Sequence, residues 1–192
     1  FWVSQRRGGE WGEPGNIPKL NTSKNEGPDT ITADGNTMYY TGCNRRPDGS
    51  DKCDIYVTRK GPDGKWQPGE NLGPPINTDY EEANATVNPD GDKLIFTSDR
   101  PGGMGGYDLR MSVRAPDGNW SEPKNLGAPV NTSMWEGVAF WHSDGVTVYF
   151  SSNGHGGFGN ADIFRTQLKP DGAWAEPVNM GGLINSPYND IY

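Results

Sequence analysis

At 192 residues the chain is long enough for one domain of ordinary size, and 28 glycines and 16 prolines beside a hydrophobic content of only 32% favour many short strands joined by tight turns. Seven tryptophans, eight tyrosines and six phenylalanines exclude a disordered chain, and 25 acidic against 17 basic residues, a net charge of −8, disfavour nucleic acid and anionic lipid as partners. No run of 18 apolar residues is present, so direct membrane insertion is not expected.

Taken in chain order, residues 1–20 read as two strands, c and d, of a four-stranded unit, with Trp11 opening strand d and Leu20-Asn21-Thr22 closing it. A complete unit follows over 21–75. Its Asp34-Gly35 turn joins strand a to strand b, Asp54-Ile55-Tyr56-Val57 is strand c, and Pro62-Asp63-Gly64 turns into a strand d that starts at Trp66. The same order recurs over 76–129, with Asp90-Gly91, Asp108-Leu109, Asp117-Gly118 and Trp120, and over 130–183, with Asp144-Gly145, Asp162-Ile163, Asp171-Gly172 and Trp174. Residues 184–192 open strand a of a further unit. The landmarks keep steps of 54 to 56 residues throughout. Four antiparallel strands at such a period define β-propeller blades: an all-β fold of three complete blades plus parts of a split one, forming a single propeller domain or fragment. Strand b of the split blade is missing from this pattern and would leave exposed edges, so we expect part of a longer chain carrying about six to eight blades.

Pro89-Asp90-Gly91 followed by Leu94-Ile95-Phe96-Thr97-Ser98-Asp99-Arg100 resembles the PD40, or WD40-like, repeat of TolB-type propellers. The Gly-rich stretch before Tyr107-Asp108-Leu109 and the Trp120-Ser121-Glu122-Pro123 run are similar to the version found in OmpA-associated bacterial envelope proteins. The resemblance implies the bacterial periplasm, the outer-membrane surface or secretion.

The most regular polar feature is an acid five positions after each recurring Asn: Glu26, Glu82, Glu136 and Asp190. With strand a lining the channel, these acids would ring its mouth, either binding a polar ligand or Ca²⁺, which takes several oxygen ligands, or accepting backbone N–H bonds as structural caps. Asp54, Asp108 and Asp162 are expected to tie each b-to-c loop to strand c. The loops differ from blade to blade, so Arg45, Arg46, Arg100 and His155 are candidates for ligand contact, as is Trp135 beside Glu136. Solvated loop charges are the alternative. Cys43 and Cys53 flank one such loop on adjacent antiparallel strands, which predicts a disulfide and an oxidising compartment. The periodic Trp residues of strand d are expected to pack between blades. With two histidines and no Gly-x-Ser-x-Gly, His-Glu-x-x-His or Cys-x-x-Cys pattern, serine-hydrolase and zinc chemistry are disfavoured. The sequence therefore points to a non-enzymatic module of a cell-envelope or secreted protein, binding a protein or glycan through its top-face loops. The alternative is a carbohydrate-active lyase or glycosidase with Glu82 and Glu136 as acid and base.

Overall fold

The structure, a computed structural model, describes residues 1–191. It is built from antiparallel β-sheets, with no helix among the described residues. Three sheets of four strands follow one another: β5 (Asn25–Ile31), β6 (Thr37–Cys43), β7 (Cys53–Arg59) and β8 (Glu70–Asn71); β9 (Glu82–Val87), β10 (Lys93–Ser98), β11 (Asp108–Val113) and β12 (Lys124–Asn125); β13 (Glu136–Trp141), β14 (Thr147–Ser152), β15 (Asp162–Gln167) and β16 (Val178–Asn179). Within each sheet the strands lie side by side in chain order. Ahead of them, β1 (Trp2–Val3) pairs with β4 (Gly15–Asn16), and β2 (Arg6–Arg7) pairs with β3 (Glu10–Trp11). At the other end, Asn189 bridges in parallel to Ala161, while Tyr192, the last residue of the expected strand a, lies outside the described residues.

The a-to-b turns owe their shape to the Asp-Gly pairs. Gly145 adopts a φ of 76°, which a side chain would resist, while the Asp144 carboxylate accepts the N–H groups of Val146 and Thr147 at 3.0 and 2.8 Å. Strand d is shorter than its sequence suggests. Trp66, Trp120 and Trp174 make only isolated bridges to Lys60, Arg114 and Leu168, and the ladder resumes beyond Pro68, Pro123 and Pro177, since proline cannot donate to it. Strand a carries a β-bulge in each sheet, and non-glycine residues take positive φ there, 54° at Asn84 and 46° at Val138.

Successive sheets pack face to face through apolar side chains. Tyr39, Ile55 and Val57 of the first meet Ile76, Ala85, Val87, Leu94 and Phe96 of the second. Ile95 and Leu109 of the second meet Val130, Trp141, Val148 and Phe150 of the third, whose Phe164 and Trp174 complete the cluster. Trp120 and Trp174 pack into these interfaces as the periodic tryptophans should, whereas Trp11 is exposed. Among the described residues the packing runs from sheet to sheet without closing a ring.

Where the chain crosses from one sheet to the next, an asparagine side chain stands in for a missing strand. Asn77 accepts the Ile55 N–H at 2.9 Å and donates to the Ile55 carbonyl at 2.8 Å; Asn131 does the same to Leu109 at 3.0 and 2.9 Å, and Asn185 to Ile163 at 2.8 and 3.0 Å. Each also donates to a strand-d asparagine, Asn71, Asn125 or Asn179. One amide thus satisfies both main-chain groups of a strand residue facing the interface. Asn131→Ala leaves the buried Leu109 N–H unpaired, while the Leu109 carbonyl keeps the Leu126 N–H at 3.0 Å, and should lower unfolding free energy by on the order of 1–3 kcal/mol in a denaturant titration.

Candidate functional site

The b-to-c and d-to-a loops share one edge of the sheets, the top face. The recurring acids lie beneath it. Glu82 and Glu136 are fully buried, and each closes its own loop. Glu82 accepts the Thr78 N–H and hydroxyl, both at 2.8 Å, and the Ser98 hydroxyl at 3.0 Å; Glu136 takes the Thr132 N–H at 2.8 Å, its hydroxyl at 2.6 Å and the Ser152 hydroxyl at 2.9 Å. Asp190 repeats the pattern with the N–H and hydroxyl of Ser186. Glu26 bonds to Thr22 and to Arg45; burial opposes its ionisation, but these partners hold the carboxyl below the usual carboxylate range. Each of these acids thus accepts hydrogen bonds within its own loop. Among the described residues no three His, Cys, Asp or Glu side chains gather to hold a metal, and Glu82 and Glu136 present no surface from which to exchange a proton with a saccharide.

The arginines and the histidine of the loops are likewise turned inward. Arg100 reaches the Ile76 carbonyl, Arg45 the Leu20 carbonyl at 3.1 Å and His155 the Val130 carbonyl at 2.8 Å. These three carbonyls directly precede recurring asparagines, so two arginines and a histidine from dissimilar loops perform one task. Arg100 also pairs with Glu82 at 3.0 Å. Arg46 bonds to Asp54 at 2.6 Å and to the Tyr80 carbonyl. Trp135 is half-buried, its main chain held by the Asn153 side chain at 2.9 Å. Asp108 and Asp162 accept N–H groups from Met104 and Gly105 and from Phe158 and Gly159, tying the Gly-rich loops to strand c. In the first loop a Cys43–Cys53 disulfide is present, with Arg46 on Asp54.

What faces solvent is a different set. Three residues beyond Asn77, Asn131 and Asn185, Tyr80, Met134 and Tyr188 are exposed, with Lys24 in the same place after Asn21, and Met104 and Phe158 are exposed at equivalent points of the b-to-c loops. The loops abut in pairs. The Gly106 N–H donates to the Met134 carbonyl, Gly159 lies against the Tyr188 carbonyl, and the Lys52 ammonium stands 5.4 Å over the Tyr80 ring. The top face thus carries an apolar, Met- and aromatic-rich row that follows the repeat. Its spacing was visible in the sequence, but its exposure depends on which loop residues the staples consume.

A second feature lies on strand a. A 310 Å³ pocket is lined by Asp29, Asn84, Val138, Phe140, Tyr149 and neighbouring residues. Asp29 stands at the bulge position that Ala85 and Ala139 occupy in the other sheets, a break in the repeat that the sequence displays. The residue keeps part of its surface exposed, yet its carboxyl is enclosed. Burial pushes it up from 3.8 to about 7, despite hydrogen bonds from the Thr41 hydroxyl at 2.7 Å and the Ala85 N–H.

These sheets and loops define a β-propeller fold. The solved structures similar to this chain include TolB from Acinetobacter baumannii, with a TM-score of 0.55, 19% identity and coverage of 86% of this chain and 35% of that one. They also include a putative TolB from Agrobacterium tumefaciens, with a TM-score of 0.57, 16% identity and coverage of 94% and 60%. The chain therefore has a TolB-like propeller architecture while spanning less than two thirds of either structure. No family model and no curated protein matches the sequence.

Two outcomes follow. Glu82→Gln removes the charge that compensates buried Arg100 and should cost about 3 kcal/mol of stability, read by denaturant titration. Because the folded state holds the Asp29 proton longer than the unfolded chain does, this group should lower stability as pH rises from about 4 to about 7, with no further loss above that. In Asp29→Asn that part of the pH dependence should vanish from thermal melts across the same range.

Proposed function

We propose that this chain is a non-enzymatic propeller module of a bacterial envelope or secreted protein, and that it takes a protein partner on its top face. The observation that carries this reading is the exposed row of Tyr80, Met104, Met134, Phe158 and Tyr188 on loops whose polar side chains are consumed internally. Aromatic rings and methionines are the groups enriched where proteins bury contact surface, and methionine's flexible thioether adapts to a partner's shape. The staples beneath hold the loops in place, so little ordering entropy opposes association. The Cys43–Cys53 bridge supports an oxidising, extracytoplasmic setting, in line with the resemblance to envelope repeats. Binding falls to this exposed row rather than to Glu26, Glu82, Glu136 and Asp190 beneath it. Arg45, Arg46, Arg100 and His155 are assigned the work of holding those loops.

Photo-crosslinking from position 158, in the same exposed row, in envelope extracts should capture a defined protein. Met104→Asp combined with Met134→Asp should reduce its capture by about tenfold, the loss expected when contact residues of this kind are removed, with an unchanged melting temperature. Undiminished capture by the folded double variant would place the interface elsewhere.

A further inference from the structure

The interface between the first and second full sheets differs from the one that follows it, and the differences gather in one place. Where Ile95, Val113, Leu168 and Ala173 stand at the interface of the second and third sheets, Tyr39, Arg59, Arg114 and Asn119 stand here. Four apolar positions have thus become polar together, between two sheets that each carry all four strands. Tyr39 is 2% exposed, and its ring packs edge-on against Trp120 with 6.2 Å between centroids. Burial raises its phenol pKa, while the charges of Arg114 and Arg59, close to the hydroxyl, oppose that rise. The hydroxyl itself bonds to no group among the described residues. An isoleucine, as at position 95, fills the same space without the cost of an unpartnered polar group.

Arg59, Arg114 and Asn119 line a groove of 360 Å³ between strand d of the first sheet and the c-to-d hairpin of the second. The Arg114 guanidinium lies 5.8 Å from the centre of the Trp120 ring and donates from Nε to the Gly118 carbonyl at 3.0 Å. Stacking and hydrogen bond together fix its plane and leave both terminal amino groups without a protein partner among the described residues. Arg59 has only Glu70 beside it, at 3.9 Å, and both side chains are largely in solvent. Glu70 offsets one of the two arginine charges, so the lining keeps a single net positive charge although the chain as a whole is acidic. Val57, Leu72, Pro75 and Ile76 form the apolar side of the groove.

We propose that this groove binds the carboxylate of a ligand that has an apolar body. The carboxylate bridges Arg59 and Arg114 and accepts the Tyr39 hydroxyl, while the body lies against Leu72 and Pro75. Guanidinium forks match the two oxygens of a carboxylate, and a lining with one net positive charge suits a monoanion better than a phosphate dianion. The buried phenol gains the partner that the protein does not supply. None of these residues belongs to the exposed row of Tyr80, Met104, Met134, Phe158 and Tyr188, so the groove is a second site, separate from the top face. An N-acylated amino acid and the last residue of a polypeptide both present the required chemistry: one carboxylate, one apolar side chain and an amide.

N-acetyl-leucine, titrated into the full chain and followed by the Trp120 indole N–H signal in NMR spectra, should saturate with a Kd on the order of 1 mM, the affinity its size allows. N-acetyl-leucinamide, which lacks the charge, should bind about tenfold more weakly. Arg114→Gln should lose about tenfold in affinity. Tyr39→Phe should lose about tenfold as well, with a melting temperature unchanged or raised, because the hydroxyl holds nothing within the protein. Arg165→Gln, altered at an exposed site of the third sheet, should bind as the parent does. A Gly-Gly-Gly-Leu peptide with a free C-terminus separates the two sources: tighter binding than N-acetyl-leucine assigns the groove to polypeptide termini, and equal or weaker binding assigns it to small acids. Equal affinity for the amide or for inorganic phosphate, full affinity in Tyr39→Phe, or no saturation at about ten times the expected Kd would overturn the assignment.

Discussion

The amide clamp at each crossing is the constraint on which the rest of the molecule depends. Consecutive propeller sheets share no continuous hydrogen-bonded ladder; apolar contact alone would leave them free to slide. Asn77, Asn131 and Asn185 remove that freedom by bonding to both main-chain groups of Ile55, Leu109 and Ile163, respectively, and to a strand-d asparagine as well. With that residue fixed, the threonine or serine after it is positioned to meet the acid four residues on, and the loop between becomes a closed ring of hydrogen bonds. Every further element of the top face rests on this ring.

The loop side chains show how strongly the fold dictates chemistry while tolerating sequence change. Arg45, Arg100 and His155 sit in loops of different composition, yet each ends on the carbonyl that precedes a clamp asparagine. The arginines also meet the buried acid of their blade, while His155 packs its ring against Phe150 and Phe164. Gly42 stands where Ser98 and Ser152 hold their acids, and the space is taken by Arg45 against Tyr56. Loop variation here is compensation around a fixed demand, which leaves selectivity to the side chains those bonds do not engage.

Periodicity made strands a to c and their turns legible in advance, because Asp-Gly pairs impose local geometry that neighbours do not override, whereas proline cut strand d shorter than the spacing of its tryptophans suggested. The disulfide was equally readable, since Cys43 and Cys53 face each other across one hairpin. The roles of the acids and cations were not. A sequence shows that Glu82 and Arg100 recur near a loop, but only packing shows that they meet below the surface. Asp29 was visible as a departure from Ala85 and Ala139, although its raised pKa depends on burial by a neighbouring sheet.

The clamp and staple also bear on how such a chain is made. Each crossing uses only residues from two adjacent repeats, so its bonds are indifferent to how many repeats come before or after. A whole unit of 54 residues can be gained or lost without disturbing any crossing but the one at the join. Duplication of a unit therefore carries its own clamp and staple with it, and the copies can drift apart at their exposed loop positions while the bonds beneath stay the same.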